Sequence, residues 1–152
     1  VYTFWKRTAP PPNLSIFDAP NRESCTVRRE RTNTPLQALV LMNDPHFVRA
    51  ARHLAKRAVT EENADERRFD RIAQLVRARP LSDHEETVVR NSFNQFLNTY
   101  RSDPDAARAL LTDDVNAAFT LASKDHQANA ELAAWTMVAS QFLNLDEALN
   151  KN

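Results

Sequence analysis

From residue 34 onward, apolar side chains return every three or four positions, the period of helices with one buried face. Thr34-Pro35 opens the first. Thr34 is placed as N-cap, Pro35 at the first helical position and Gln37 reaching back to complete a capping box. Leu36, Leu39, Val40 and Asn43 follow at helical spacing. Asp44-Pro45 restarts the chain with another cap and proline, and Phe47, Ala51, Leu54, Ala55 and Ala58 form the inward stripe. Arg49, Arg52, Lys56 and Arg57 fall mostly on the opposite side. A third helix is predicted from Asp65 to Arg79, buried through Phe69, Ile72, Leu75 and Val76 and ended by Pro80. Ser82 and Glu85 form a further capping box before Val89, Phe93, Phe96, Leu97 and Tyr100. Asp103-Pro104 opens a short helix to Leu111. Residues 112–127 are polar and weakly patterned apart from "AAFTLA". The last helix is predicted over Asn129 to Leu149, with only Thr136, Ser140 and Asn144 as a polar stripe; a helix apolar on most sides is a central one.

The first 33 residues read differently. "VYTFW" has the β-branched and aromatic character of a short strand, and "APPPN" reads as extended backbone because consecutive prolines remove donors. "LSIFDAPNRE" alternates loosely and reaches a turn signal at Asp18 to Asn21. The expectation is an all-α body of five or six helices, residues 34–152, with an extended N-terminal arm, residues 1–33, laid over it. A chain opening on "VYTFW" is expected to be the latter part of a longer polypeptide.

Composition sharpens this picture mainly by exclusion. The 152 residues contain no glycine. A phosphate-binding loop, a dinucleotide fingerprint, a nucleophile elbow and an EF-hand loop all need glycine where backbone turns tightly or approaches a ligand, so none is present in ordinary form. Helix ends must also stop without it, and Asn43, Asn98 and Pro80 are the expected substitutes. Cys25 is the single cysteine, which rules out an internal disulfide. No apolar run approaches the roughly 20 residues of a membrane span. Net charge is zero, yet residues 1–60 carry ten Lys or Arg against four acids, and residues 61–152 carry ten against sixteen. Sixteen of the twenty cations are arginine, suited to bidentate contact with carboxylate or phosphate. The halves are expected to pair with each other or with water; the alternative is a basic face for an acidic partner.

The densest chemistry is Arg22, Arg28, Arg29 and Arg31 ahead of the helix start at Thr34. Guanidinium groups beside free helix N–H donors suit phosphate, sulfate or an acidic sugar. Glu23, Glu30, Asp18 and Asp44 lie near enough in sequence to pair with the same arginines and clamp the arm, which is the expected role. His46 and His53 share a helix face about 10 Å apart, too far for one metal, and no zinc-binding spacing occurs. Asp113 and Asp114 with His126 read as a polar loop rather than a cation site. Cys25 is expected to face inward with Val27 as a small hydrophobe. Tyr2, Phe4, Trp5 and Phe17 are expected to pack rings onto helices or onto an upstream domain; zero net charge argues against a nucleic-acid platform.

"YTFWKRTAPPP", "FDAPNRESCTVRRERTNTPLQALVLMNDPHFV" and "ELAAWTMVASQFLNLDEAL" resemble the C-terminal part of the planctomycete domain-of-unknown-function family 1553. The likeness covers nearly the whole chain, with residues 60–128 matching mainly in helical character. It implies an exported parent, periplasmic or at the cell surface, in which this region follows another domain of unknown function, often with a cytochrome-c-type domain. Haem c would then sit elsewhere in the parent, since this chain has no C-x-x-C-H and no cofactor of its own is expected. No catalytic residue comes with the resemblance. The expected function is a non-catalytic structural or interaction module whose partners are upstream domains of the same polypeptide. The alternative is part of a carbohydrate- or redox-linked active site completed upstream, with an arginine-rich site for an anionic carbohydrate.

Overall fold

The computed structural model describes residues 12–20, 25, 27, 32, 34–113 and 120–149. They form α1 (Pro12–Ile16), α2 (Pro35–Asn43), α3 (Pro45–Glu61), α4 (Asp65–Arg77), α5 (Asp83–Ser102), α6 (Pro104–Leu111), α7 (His126–Leu143) and α8 (Asp146–Leu149). The fold is an all-α bundle, with no strand among the described residues. The strand expected at "VYTFW" lies outside them.

Local capping chemistry sets most boundaries. Thr34 Oγ1 accepts from the Gln37 N–H, and Gln37 Oε1 accepts from the Thr34 N–H, so the predicted box is complete. Ser82 and Glu85 form the second box. Asp44 and Asp103 accept from the His46 and Ala106 N–H groups ahead of their N1 prolines.

Four expectations change. Pro12 starts a helical turn rather than continuing extended chain, because a proline at N1 lacks only an N–H that the helix would not use. Asn98 lies inside α5 and ends nothing. Ala78, not Pro80, terminates α4 by entering the left-handed region at φ 61, the conformation glycine would otherwise supply. The last helix begins earlier, capped by Asp125, and stops at Leu143, where the Asn144 N–H turns back to the Ser140, Gln141 and Phe142 carbonyls; Asp146–Leu149 is a separate turn of helix.

α7 is the axis of the bundle and touches α2 to α6 and α8. Its Trp135 is fully buried between Phe69 of α4 and Phe93 of α5, ring centroids 4.7 and 4.5 Å away. Phe69 meets Phe93 edge-on at 5.8 Å, so three rings close one aromatic knot. The Trp135 indole N–H has no acceptor among the described residues. Against the same core α3 presents Ala51, Ala55 and Ala58, all buried. Their spacing of four and three puts them on one face, and methyl groups there let the two helix backbones approach closely. Ala107, Leu111 and Ala133 form a smaller cluster with Tyr100 and Leu121 where α6 meets α7, and burial pushes the Tyr100 phenol pKa up.

Overpacking the alanine seam tests this arrangement. Ala55→Leu is expected to lower unfolding free energy by about 1–3 kcal/mol. Ala50→Leu, on the exposed side of the same helix and next to Ala51 of the seam, stays within about 0.5 kcal/mol. Urea midpoints of the two variants give the comparison.

Candidate functional site

Arg22, Arg28, Arg29 and Arg31 lie outside the described residues, so the structure places only Thr34 of that predicted group. Thr34 sits at the start of α2 with both polar groups engaged by Gln37. Pro35 has no N–H, and the Ala38 N–H closes onto the Thr34 carbonyl. Most donors that an anion would use at this helix end are therefore occupied.

What holds the described arm to the body is a network around Gln37, a side chain only 2% exposed. Its amide donates to the Ile16 carbonyl at 2.8 Å and to Thr32 Oγ1 at 2.9 Å. Asp18, in the left-handed region at φ 55, accepts from the Thr32 N–H and hydroxyl at 2.9 and 2.7 Å. Phe17 lies 5.8 Å from the Phe47 ring of α3, the ring packing expected of an arm aromatic. Cys25 and Val27 face outward, contrary to the inward expectation.

Gln37 also decides which face of α2 is buried. Gln37 and Leu41, one turn apart, point inward. Leu36, Leu39 and Met42 point out, 53, 56 and 54% exposed. The apolar residues that periodicity marked are thus largely on the solvent side. Among the described helices of eight residues or more, α2 alone carries no charged side chain.

Beside this face runs a groove of about 860 Å³ between α5 and the α7–α8 segment, with Met42 on its edge. Val88, Val89, Phe96, Met137, Phe142 and Leu145 give it an apolar lining. Ser140 and Asn144, read from sequence as a polar stripe on the last helix, open into it. α5 and α7 run antiparallel here. Glu85 meets Glu147 around Arg77 at one end, and Phe93 packs on Trp135 further along.

The first of those ends is closed by charge. Arg77, its side chain 3% exposed, binds Glu85 at 2.9 Å and Glu147 at 3.4 Å through one nitrogen, while its guanidinium carbon lies 5.3 Å from the Phe142 ring centroid. Its Nε and Nη2 have no hydrogen-bond partner among the described residues. Arg79 doubles the bridge, pairing with Glu85 at 2.8 Å and Glu147 at 2.7 Å. Hydrogen bonds from Arg79, the Ser82 backbone and Arg77 hold the Glu85 carboxyl far below the usual carboxylate range. Arg79, fixed chiefly by Glu85 and then Glu147, holds its proton more tightly than usual. Arg68 over Trp135 and Arg90 over Phe69 repeat the pattern, each guanidinium covering a core ring while its nitrogens bind carboxylates. Arg49 and Arg52, expected mostly outside, instead converge on Asp113 at 2.8 and 3.7 Å, and Arg52 is buried. His46, His53, His84 and His126 are exposed, and no group of three or more metal-ligand side chains gathers among the described residues. Asp114 lies outside those residues.

A family model described as "PSD1: Protein of unknown function (DUF1553)" matches residues 1–93. No curated protein and no solved structure matches the chain.

The bridge at the groove end carries a pH signature. Because folding lowers the Glu85 pKa, its contribution is complete above the ordinary value near 4.5 and is lost progressively as pH falls below it. Glu147 and Glu61, lowered by Arg79 and by Arg57 with Arg71, act in the same direction. The melting temperature is expected to hold near neutrality and fall below about pH 4.5. Glu85→Gln should melt lower than the wild type at pH 7 and lose less on acidification, measured by circular dichroism melts across pH.

Proposed function

The chain belongs to the DUF1553 family of proteins of unknown function, and from that premise we propose that it is a non-catalytic structural and interaction module. The observation that carries the reading is the uncharged α2 face, with Leu36, Leu39 and Met42 more than half exposed beside an apolar groove. Clustered apolar exposure without charge is the composition of a docking surface. Arg68, Arg77, Arg79 and Arg90 support it from the other side: they tie helices together or roof aromatic rings.

In this reading the parent is an exported planctomycete-type polypeptide with a c-type haem in a separate domain, and the module docks on upstream domains through its arm and basic half. The resemblance of residues 2–12 and 17–48 supports that context, and the absence of C-x-x-C-H from this chain assigns any haem to another part. Among the described residues no helix is long and apolar enough to cross a membrane. The rival reading, an arginine-rich site for an anionic carbohydrate at Arg22, Arg28, Arg29, Arg31 and Thr34, has less support at Thr34, whose N–H and side-chain oxygen both pair with Gln37.

Calorimetric titration with a sulfated glycan, and separately with inorganic phosphate, is expected to give no saturable heat. Saturable binding that disappears in Arg28→Ala and Arg29→Ala would overturn the module in favour of an anion site. Leu36→Glu with Leu39→Glu is expected to leave the urea midpoint nearly unchanged, since neither side chain is buried.

A further inference from the structure

We propose that the exposed face of α2 and the α5–α7 groove are the two halves of one self-complementary interface, and that the partner seated on them is a second copy of this chain. The inference rests on the module reading and adds to the upstream domains a second partner, seated on the exposed α2 face.

The two halves have matching shapes. The groove runs from Glu85 to Phe96 along α5, about 16 Å at 1.5 Å per residue, the length of three helical turns. A trough of that kind between antiparallel helices accepts the ridge of a third helix. α2 offers such a ridge: Leu36, Leu39 and Met42 at intervals of three on a nine-residue helix.

They also match in charge. An interface core is depleted of charge because each buried ion must be desolvated. α2 brings no charged side chain, and Val88, which is 52% exposed, stands on the groove wall facing solvent. The ion pairs of Glu85 and Glu147 lie at the groove end, so docking α2 on the apolar stretch leaves them in place.

Symmetry supplies the closure. Met42 belongs to both halves, ending the α2 ridge and edging the groove. A two-fold axis beside Met42 sends each ridge into the other copy's groove, and both exposed surfaces are satisfied at once in a closed pair. A single heterologous partner covering both adjoining halves would need a groove and a ridge of its own, and a second copy carries both. The footprint is a trough roughly one helix wide and 16 Å long with one adjoining helix face. That is below the roughly 800 Å² per partner of a standard interface, so the pair belongs to the weak, transient class.

Sedimentation equilibrium of the full chain between about 1 µM and 1 mM should show the mass rising from the 17.3 kDa monomer toward twice that value. Leu39→Glu and Val88→Glu should each hold it at the monomer with unchanged melts. In a Cys25→Ser background, mixing Leu39→Cys with Val88→Cys chains under mild oxidation should give a mixed disulfide dimer, as only insertion of ridge into groove brings those positions together across copies. A monomer throughout the concentration range overturns the proposal, as does a dimer that survives both glutamate variants or the absence of the mixed disulfide. Each of those results, with no anion binding in calorimetry, would leave the module reading standing with a different partner. Saturable anion binding lost in Arg28→Ala would instead sink that reading.

Discussion

Everything in this bundle depends on burying most of the circumference of α7. Trp135, Val138 and Ala139 are fully enclosed, and even Thr136 is buried, returning its hydroxyl to the Leu132 carbonyl at 2.8 Å. A helix so enclosed has to be approached closely by its neighbours. The chain has no glycine to thin a backbone, so alanine takes the task at Ala51, Ala55 and Ala58 of α3 and at Ala130, Ala133 and Ala134 of α7. The aromatic knot of Phe69, Phe93 and Trp135 fills the space between α4, α5 and α7. Small residues towards α3 and large rings towards α4 and α5 together fill the interior, which is how such cores reach close packing.

Arginine then finishes what the apolar core leaves open. Arg68, Arg77 and Arg90 each lay a guanidinium over a ring of the core and reach carboxylates from different helices. A lysine would supply the charge but not the flat surface or the fork. This arrangement consumes charge at the margins of the core. The exposed face of α2 and the apolar stretch of the groove lie outside this pattern.

Short-range chemistry was the legible part of the sequence. Thr34-Pro35 with Gln37, Asp44-Pro45, Ser82 with Glu85 and Asp103-Pro104 each announce a helix start within four residues, and each start is where the sequence places it. Illegible features depend on partners far along the chain. Leu36 and Leu39 look like core by spacing, yet the buried face of α2 is chosen by Gln37, which answers Ile16 and Thr32 of the arm. Arg52 looks like a solvent position, yet is drawn inward by Asp113, and Arg77, on which the helical pattern is silent, is drawn inward by Glu85 and Glu147. A left-handed alanine at residue 78 has no local signal at all; the Leu81 N–H bound to Asp70 fixes the turn that follows it. Of the arginine-rich site proposed from sequence, only the Thr34 end is described, and there the helix start satisfies itself.

The buried indole of Trp135 gives the molecule a built-in optical probe. An indole clamped between two phenyl rings, away from water and with its N–H unengaged by any described acceptor, emits at the blue edge of the tryptophan range. The other tryptophan, Trp5, belongs to the N-terminal stretch. Replacing Trp5 would therefore isolate a spectrum that reports on the aromatic knot alone, separating the opening of the bundle from any event in the arm.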